Sequence, residues 1–202
     1  MTRIKLCGMR RAEDIAAANE LRPDYIGFVF AKKSRRCVDG KTAASLKRLL
    51  RPGILAVGVF VDEDAEKAAG LLNEGVIDLA QLHGQEDEQY IARLRLLTDR
   101  PIIRAFRVAS PDDIRKAEMS PADLVLLDAG AGGGTAFDWG LLRDMKRPFF
   151  LAGGLDPGNV GQAVDDIRPF GVDISSGIET DGAKDPVKMR AFVAAVKARD
   201  EK

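Results

Sequence analysis

The sequence has few of the residues that build metal centres or disulfide frameworks. Its 202 residues include two cysteines, Cys7 and Cys37, and one histidine, His83. Two cysteines in a chain of this length do not form a disulfide framework, so we expect a reducing, cytoplasmic location. One histidine cannot build a multi-histidine site, and neither CxxC nor HExxH occurs. The sequence therefore predicts no metal.

An excess charge of either sign is also missing, as are long apolar runs. Lys plus Arg number 31 and Asp plus Glu number 31, so the formal net charge is +0. This balance gives no basis for binding nucleic acid or an anionic membrane. No apolar run reaches the ~18 residues of a membrane span, and residues 1–11 lack the apolar core of a signal peptide. An anionic ligand must therefore be held by a local site.

Short apolar runs recur along the whole chain, separated by amphipathic segments. Each run is bounded by Gly, Pro or Asp, which is typical of parallel strands that are covered on both faces. The runs are 3–7, 24–30, 54–60, 77–83, 101–107, 123–129, 148–154 and 171–177.

The segments between these runs predict helices, because their apolar residues recur at three- and four-residue spacing. Examples are 11–21, 41–50, 64–75, 87–97 and 185–199. Ser110 before Pro111 predicts a helix start with a capping residue and a proline in the first position. Asp156 before Pro157, and Asp185 before its own proline, repeat this signal.

Eight strands alternating with eight helices predict an α/β fold. Both an open doubly wound sheet and a closed (β/α)₈ barrel accept this alternation. The lack of an evident edge strand favours the barrel, and ~200 residues is the small end of its size range. We therefore predict a single TIM-barrel domain over residues 1–202, with eight parallel strands and outer helices.

Glycine and serine follow the last two predicted strands. Gly153 and Gly154 follow the seventh, and Ser175, Ser176 and Gly177 follow the eighth. In TIM barrels these two loops often hold a phosphate group, because glycine lets the backbone approach closely and free N–H groups attract anions. Either group alone is explained by a tight turn, but both together predict a phosphate site.

Cys7 ends the first predicted strand, where free cysteine is often only a small buried apolar residue. Strand alternation places Arg3, Lys5 and Cys7 on one face, and a polar face should line the lumen. Lys5 then needs a buried carboxylate, and Asp173 on the neighbouring eighth strand is the candidate. The Lys5 ammonium would also favour the thiolate of Cys7, whose ordinary pKa is about 8.5.

Three further polar residues follow strands. Asp128 precedes a loop rather than a helix, which argues against a capping role, and apolar neighbours would raise its pKa and let it donate a proton. Arg36, after the second strand, is either a solvated loop residue or an anion ligand above the barrel mouth. His83 is as compatible with a structural role as with support of the active site.

The glycine-rich segment 129–139 follows Asp128. It lacks the strand–turn–helix context and the later acidic residue of a dinucleotide fingerprint. We predict that it is a mobile active-site loop.

Several motifs together resemble one enzyme family over essentially the whole chain. They are KLCG (5–8), DYIGFVFAKKSRR (24–36), VGVFVD (57–62), AQLHG (80–84), LLDA (126–129), GGTAFDW (133–139), LAGGL (151–155) and DISSGIE (173–179). In order and approximate spacing they are similar to those of the phosphoribosylanthranilate isomerases of tryptophan biosynthesis.

The resemblance implies a specific reaction, an Amadori rearrangement of N-(5-phosphoribosyl)anthranilate that uses no cofactor. Cys7 would be the general base, Asp128 the general acid, and Arg36 the ligand of the anthranilate carboxylate. The first and sixth strands would place acid and base on opposite sides of the lumen. The only expected partner is this phosphorylated small molecule, bound by a monomer or homodimer.

Three alternatives stay open from the residues. A sugar-phosphate epimerase would need metal-binding histidines, and only His83 is present. An indole-glycerol-phosphate synthase would need a lysine acid where Asp128 stands. A phosphate-binding barrel without activity would bind ligand and not turn it over. Two departures from the family, Cys37 after the loop arginine and GGGTAF after the sixth strand, affect the anthranilate side of the site.

Overall fold

The computed structural model describes residues 1–130 and 139–200, and there the chain forms a closed barrel of eight parallel strands. Each strand pairs with the next, and the eighth pairs with the first, so the predicted TIM barrel is confirmed. The strands are β1 Arg3–Cys7, β2 Tyr25–Val29, β3 Leu55–Phe60, β4 Leu79–Leu82, β5 Ile102–Arg107, β6 Leu124–Asp128, β7 Phe149–Ala152 and β8 Gly171–Ile174.

Helices follow most strands and cover the outside of the barrel. They are α1 Ala12–Leu21, α2 Gly40–Lys47, α3 Ala65–Asn73, α4 Glu88–Leu97, α5 Pro111–Met119, α6 Val160–Ile167 and α7 Pro186–Asp200. Between β6 and β7 the described residues form a 3₁₀ helix, Trp139–Asp144, where strict alternation led us to expect an α-helix. After β8 come a 3₁₀ turn, Ser176–Ile178, and the short strands β9 Glu179–Thr180 and β10 Ala183–Lys184, which pair as a hairpin.

Two of the three predicted helix starts are confirmed. Ser110 precedes α5, and both the backbone N–H and the hydroxyl of Ser110 donate to the carboxylate of Asp113. Asp185 precedes α7 and accepts from the N–H of Val187 at 2.8 Å. The start predicted after Asp156 is wrong, because α6 begins only at Val160. Asp156 instead accepts from the N–H groups of the two residues before the helix, which closes a separate turn.

In the described part of the chain, side chains fill the interior of the barrel, and a cavity lies at its carboxyl end. An apolar cluster occupies most of the lumen, with the fully buried Phe150 in edge contact with Tyr25 and Phe170. Above it lies a smaller cluster of Cys7, Val29 and Val59. The mouth above these residues, at the carboxyl ends of the strands, is where TIM-barrel enzymes place their functional groups.

None of the helices within residues 1–130 and 139–200 combines the length and the apolar character that crossing a membrane requires.

Candidate active site

A cavity of about 390 Å³ lies at the carboxyl end of the barrel. Nine of the residues predicted from sequence line it: Cys7, Arg36, His83, Asp128, Gly153, Gly154, Asp173, Ser175 and Ser176. Larger cavities of about 490 and 740 Å³ lie on the outer surface, beside the α4–α5 and α2–α3 helix pairs. Of these three cavities, the one at the carboxyl end of the barrel is where polar groups from separate strand ends converge. It is therefore the candidate site.

Lys5 lies beneath the site, with its side chain fully buried. Its Nζ donates to Asp173 Oδ2 at 2.9 Å, and the register of β1 with β8 places the two residues side by side. The predicted ion pair is therefore present in the structure. Asp173 Oδ1 is buried and has no hydrogen-bond donor in the described part of the chain, which leaves this oxygen available to a ligand.

Breaking this ion pair should strongly destabilise the protein. We expect Asp173→Asn to lower the free energy of unfolding by about 3–5 kcal/mol, because the Lys5 ammonium would stay buried without its counter-charge. Urea denaturation measures the loss. The double variant Lys5→Met, Asp173→Leu should recover most of it, because apolar side chains then replace both charges. A double variant as unstable as Asp173→Asn would contradict this explanation.

Cys7 is buried at the end of β1, and only 7% of its surface is exposed. Burial raises the pKa of its thiol, and this effect outweighs the lowering by the Lys5 ammonium. The ammonium thus acts in the direction we expected, but it does not keep Cys7 ionised in the free protein. The sequence of β1 predicts that the Lys5 ammonium lies near the thiol. The loss of solvation, in contrast, depends on every residue that packs around the thiol in the fold.

Asp128 contacts two hydrogen-bond donors at the end of β6. Its Oδ2 lies 3.3 Å from His83 Nε2, and its Oδ1 accepts from the N–H of Gly130 at 3.0 Å. The hydrogen bond from His83 lowers the pKa of Asp128 and, together with Gly130 and the charge of Arg107, outweighs the effect of burial. Our expectation of a raised pKa is therefore wrong. The apolar residues before Asp128 did not show that β4 and β5 bring a histidine and an arginine beside it.

His83 is oriented by a residue that the sequence did not single out. Gln81, two positions earlier and on the same face of β4, places its Nε2 3.2 Å from His83 Nδ1. When the amide donates there, Nδ1 is the acceptor and the Nε2–H of His83 faces Asp128. His83 thus supports the site through Asp128.

Arg36 is held by a buried carboxylate. Its Nε and Nη2 donate to the two oxygens of Glu179 at 2.6 and 2.8 Å, and the Glu179 side chain is only 5% exposed. Burial alone would raise the pKa of Glu179, but bonds from Arg36 and Lys184 prevail and lower it to about 2. Sequence reasoning did not assign a role to either of these partners. Glu179 belongs to DISSGIE and could have been found there, whereas nothing in the local sequence marked Lys184.

The two predicted phosphate loops differ in how they meet the cavity. Gly153 and Gly154 have φ of 91° and 64°, and a Cβ on Gly153 would lie 2.5 Å from Asp128 Oδ1, so this position requires glycine. Ser175 and Ser176 also line the cavity. Gly177 is not among its lining residues, and a Cβ there would lie 2.1 Å from the Leu155 carbonyl oxygen. Gly177 therefore allows the two loops to pack together.

The proposed acid and base stand on well-separated strands of the barrel. Going round the barrel, β8 and β7 separate β1 from β6, and β5 is the strand diametrically opposite β1. The two side chains therefore reach the mouth from different sides of the lumen. Cys7 and Asp128 nevertheless line the same cavity.

Two further predictions concern the loop after Asp128 and metals. Most of the glycine-rich segment, residues 131–138, lies outside the described residues. Within residues 1–130 and 139–200, no group of three or more His, Cys, Asp or Glu side chains is arranged to hold a metal ion.

Comparison with known proteins assigns the family. A family model described as N-(5'phosphoribosyl)anthranilate (PRA) isomerase matches residues 4–195. The chain belongs to this family. It is therefore an isomerase, as its motifs indicated.

Relatives and solved structures match the PRA isomerase chain over nearly its full length. The N-(5'-phosphoribosyl)anthranilate isomerase of Endomicrobium trichonymphae is 44% identical over 194 residues, covering 94% of this chain and 95% of the relative. That of Caldanaerobacter subterraneus subsp. tengcongensis is 42% identical, with 98% of each chain covered. The crystal structure of phosphoribosyl anthranilate isomerase from Thermotoga maritima has a TM-score of 0.88 at 35% identity, covering 98% and 100%.

Two of the structural neighbours carry information about ligands and assembly. One phosphoribosyl anthranilate isomerase with a TM-score of 0.88 and 35% identity was crystallised with reduced 1-(o-carboxyphenylamino)-1-deoxyribulose 5-phosphate. The match covers 98% of this chain and 100% of the neighbour's chain. Another structure, at 34% identity and a TM-score of 0.86, is of monomers generated from the dimeric Thermotoga maritima protein. These statements concern the neighbours themselves.

Proposed function

We propose that this protein catalyses the Amadori rearrangement of N-(5'-phosphoribosyl)anthranilate, a step of tryptophan biosynthesis. The product is 1-(2-carboxyphenylamino)-1-deoxyribulose 5-phosphate. The observation that carries the proposal is the convergence of Cys7, Asp128 and Arg36 on one cavity with Gly153 and Ser175, in a chain of the PRA isomerase family.

Asp128 acts first, as the general acid. It donates a proton to the oxygen of the ribose ring, the bond between this oxygen and C1 breaks, and the anthranilate nitrogen shares its lone pair with C1. The result is an open chain with an iminium group. The acid lies at the rim of the cavity and is held on both carboxylate oxygens by His83 and Gly130, which favours one orientation toward the sugar.

Cys7 then acts as the general base. The iminium acidifies the C–H bond at C2, and the Cys7 thiolate removes that proton, which leaves an enolamine. The hydroxyl proton at C2 is lost and C1 gains a proton, so the enolamine becomes the ketone. Because the iminium accepts the electron pair, the residues of the chain supply only proton transfers, each of which contributes typically ~10²–10⁴-fold.

The remaining groups bind the two anionic ends of the substrate. The loops at Gly153 and Ser175 receive the phosphate, since their backbone approaches the cavity closely. Arg36 receives the anthranilate carboxylate. Glu179 occupies its Nε and Nη2, and Nη1 has no partner among the described residues, so this nitrogen is left for the substrate.

Turnover of the proposed substrate tests the function directly. N-(5'-phosphoribosyl)anthranilate is generated in situ, and the loss of anthranilate-type fluorescence is followed after the protein is added. We expect turnover to a product with the mass of the substrate, because an isomerase removes no atoms. A protein that binds but does not turn over would be a binding barrel. Loss of carbon dioxide and water from the isomerised keto product, supplied in a separate assay, would instead indicate the synthase alternative.

Arg36→Met should weaken substrate binding more than it slows the chemical step. Hydrogen bonds to charged groups contribute about 1.5–3 kcal/mol, so KM should rise about 10- to 100-fold, by a larger factor than kcat falls. Steady-state kinetics separate the two effects. Arg35→Met is the matched control, because Arg35 also bonds Glu179 but is largely exposed and does not line the cavity. An unchanged KM in Arg36→Met would exclude the proposed role.

A further inference from the structure

The side chain of Lys184 is buried at the edge of the site, although it lies on a short hairpin, and only 2% of it is exposed. Its Nζ donates to the Ser175 carbonyl oxygen at 2.8 Å, and Ser175 Oγ in turn donates to the Cys7 carbonyl oxygen at 3.2 Å. A Cβ on Gly8 would lie 3.3 Å from the same Nζ. The ammonium therefore lies over the carboxyl end of β1, beside the residue that follows Cys7.

The burial of Lys184 is not explained by the needs of its counter-ion. Lys184 Nζ lies 2.8 Å from Glu179 Oε1, but Glu179 already has Arg36 on both of its oxygens and Arg35 on one. A third cation is not required to neutralise one carboxylate. Burial also lowers the pKa of Lys184, so keeping this ammonium in the interior is unfavourable by itself. Its charge is therefore available for another anion.

The charges that surround Cys7 leave room for one negative charge. Lys5 lies below the thiol on β1, Lys184 on β10, and Arg36 in the loop after β2. The carboxylates on this side are Asp173, paired with Lys5, and Glu179, paired with the other two. Arg35 also bonds Glu179, but its side chain is 63% exposed, so solvent screens its charge from the thiol. The other three cations and the two carboxylates sum to +1. A thiolate at Cys7 brings this group to neutrality, whereas a thiol leaves one cation unbalanced.

We propose that Lys184 is a positioning residue of the active site, whose buried ammonium stabilises the thiolate of Cys7 from above while Lys5 does so from below. Its importance for turnover rests on the proposed function, in which Cys7 is the base. Glu179 has a second task in this arrangement, because it holds Lys184 beside Cys7 and Arg36 at the cavity wall.

Titration of the Cys7 thiol tests the proposal without any substrate. In a Cys37→Ser background Cys7 is the only thiol, and its rate of alkylation by iodoacetamide across pH reports the thiolate fraction. Lys184→Met should lower that rate at a fixed pH about tenfold, because the thiol loses one of the two ammonium groups that lower its pKa. Lys184→Arg, which keeps the positive charge, should restore most of it. In turnover, kcat of Lys184→Met should fall by the same factor.

Lys188→Met is the matched control. Lys188 Nζ donates to the Glu179 carbonyl oxygen at 2.7 Å, so it supports the same hairpin but does not line the cavity. Its loss should leave the thiol titration unchanged. If Lys184→Met folds, and its alkylation profile matches that of the parent, Lys184 has only a structural role and the proposal fails.

A second variant covers the case in which Lys184→Met does not fold. Glu179→Gln removes a negative charge from the same group but keeps a side-chain oxygen that can accept from Lys184, so the alkylation rate of Cys7 should rise rather than fall. An unchanged or lower rate would overturn the proposal. Absence of turnover by the wild type would contradict the proposed function alone, because the alkylation assay depends only on the charges around Cys7.

Discussion

Cys7→Ser should turn over N-(5'-phosphoribosyl)anthranilate about 10²–10⁴-fold more slowly than the wild type. The serine hydroxyl nearly preserves the shape of the thiol, but it is a far weaker acid, so no base forms near neutral pH. Steady-state kcat measures the loss. Binding of the reduced 1-(o-carboxyphenylamino)-1-deoxyribulose 5-phosphate, the compound bound by one structural neighbour, should be largely retained.

Cys37→Ser is the control for this variant. Cys37 is exposed and does not line the cavity at the carboxyl end of the barrel, so its replacement should leave kcat and KM unchanged. A near-normal kcat in Cys7→Ser would mean that another group removes the proton from C2. The proposed mechanism would then lose its base.

Asp128→Asn should also lower kcat about 10²–10⁴-fold, because the amide cannot give a proton to the ring oxygen. Asparagine nearly preserves the shape of the carboxyl and can still accept from the N–H of Gly130, so the site should stay folded. The same product analogue reports whether binding is kept. Near-normal turnover would assign the acid to a different residue.

The pKa shifts of Cys7 and Asp128 predict how the rates of the wild type and of the two variants depend on pH. Burial raises the pKa of Cys7, and His83 holds the pKa of Asp128 below its ordinary value, so near neutral pH the thiol is protonated and the carboxylate is ionised. In the proposed mechanism the reactive state has the proton on Asp128 and the thiolate at Cys7. This state differs from the predominant one only in which of the two groups carries the proton. Its fraction of the protein is therefore constant between the two pKa values. Wild-type kcat/KM should therefore be flat across neutral pH.

Each of the two variants should remove one of the two ionisable groups, and with it the flat pH dependence. In Asp128→Asn the remaining rate depends on the thiolate alone, so it should rise about tenfold per pH unit up to the pKa of Cys7. In Cys7→Ser it depends on protonated Asp128, so it should fall about tenfold per pH unit above the pKa of that carboxyl. A residual rate in Asp128→Asn that does not change with pH would show that Cys7 is already ionised.

Because the reactive protonation state is only a minor fraction of the protein near neutral pH, the charges around Cys7 and Asp128 affect the rate. A base that is mostly protonated gains rate from any cation that favours its ionised form. Lys5 and Lys184 both act in this sense on Cys7. On the other side of the cavity, the hydrogen bond from His83 favours the ionised form of Asp128 over its acid form.

Much of the architecture and part of the site follow from the sequence alone. Apolar runs at regular intervals determined the eight strands, because strands covered on both faces cannot carry exposed polar residues. Alternation along β1, with the closure of the barrel, paired Lys5 with Asp173. The ends of strands located Cys7 and Asp128, since parallel strands bring their carboxyl ends to one face. These features depend on local periodicity and on the order of elements along the chain.

Only the tertiary structure decided how these residues behave. The lowered pKa of Asp128 comes from His83, and the raised pKa of Cys7 comes from packing on all sides. Glu179 and Lys184 reach the site through a hairpin that no periodic pattern announces. Hydrogen bonds and charges act over a few ångströms in space, and desolvation depends on every neighbour. The sequence by itself therefore determined that Cys7 and Asp128 meet at the barrel mouth, and only the fold decided which partners surround them and in which direction their pKa values shift.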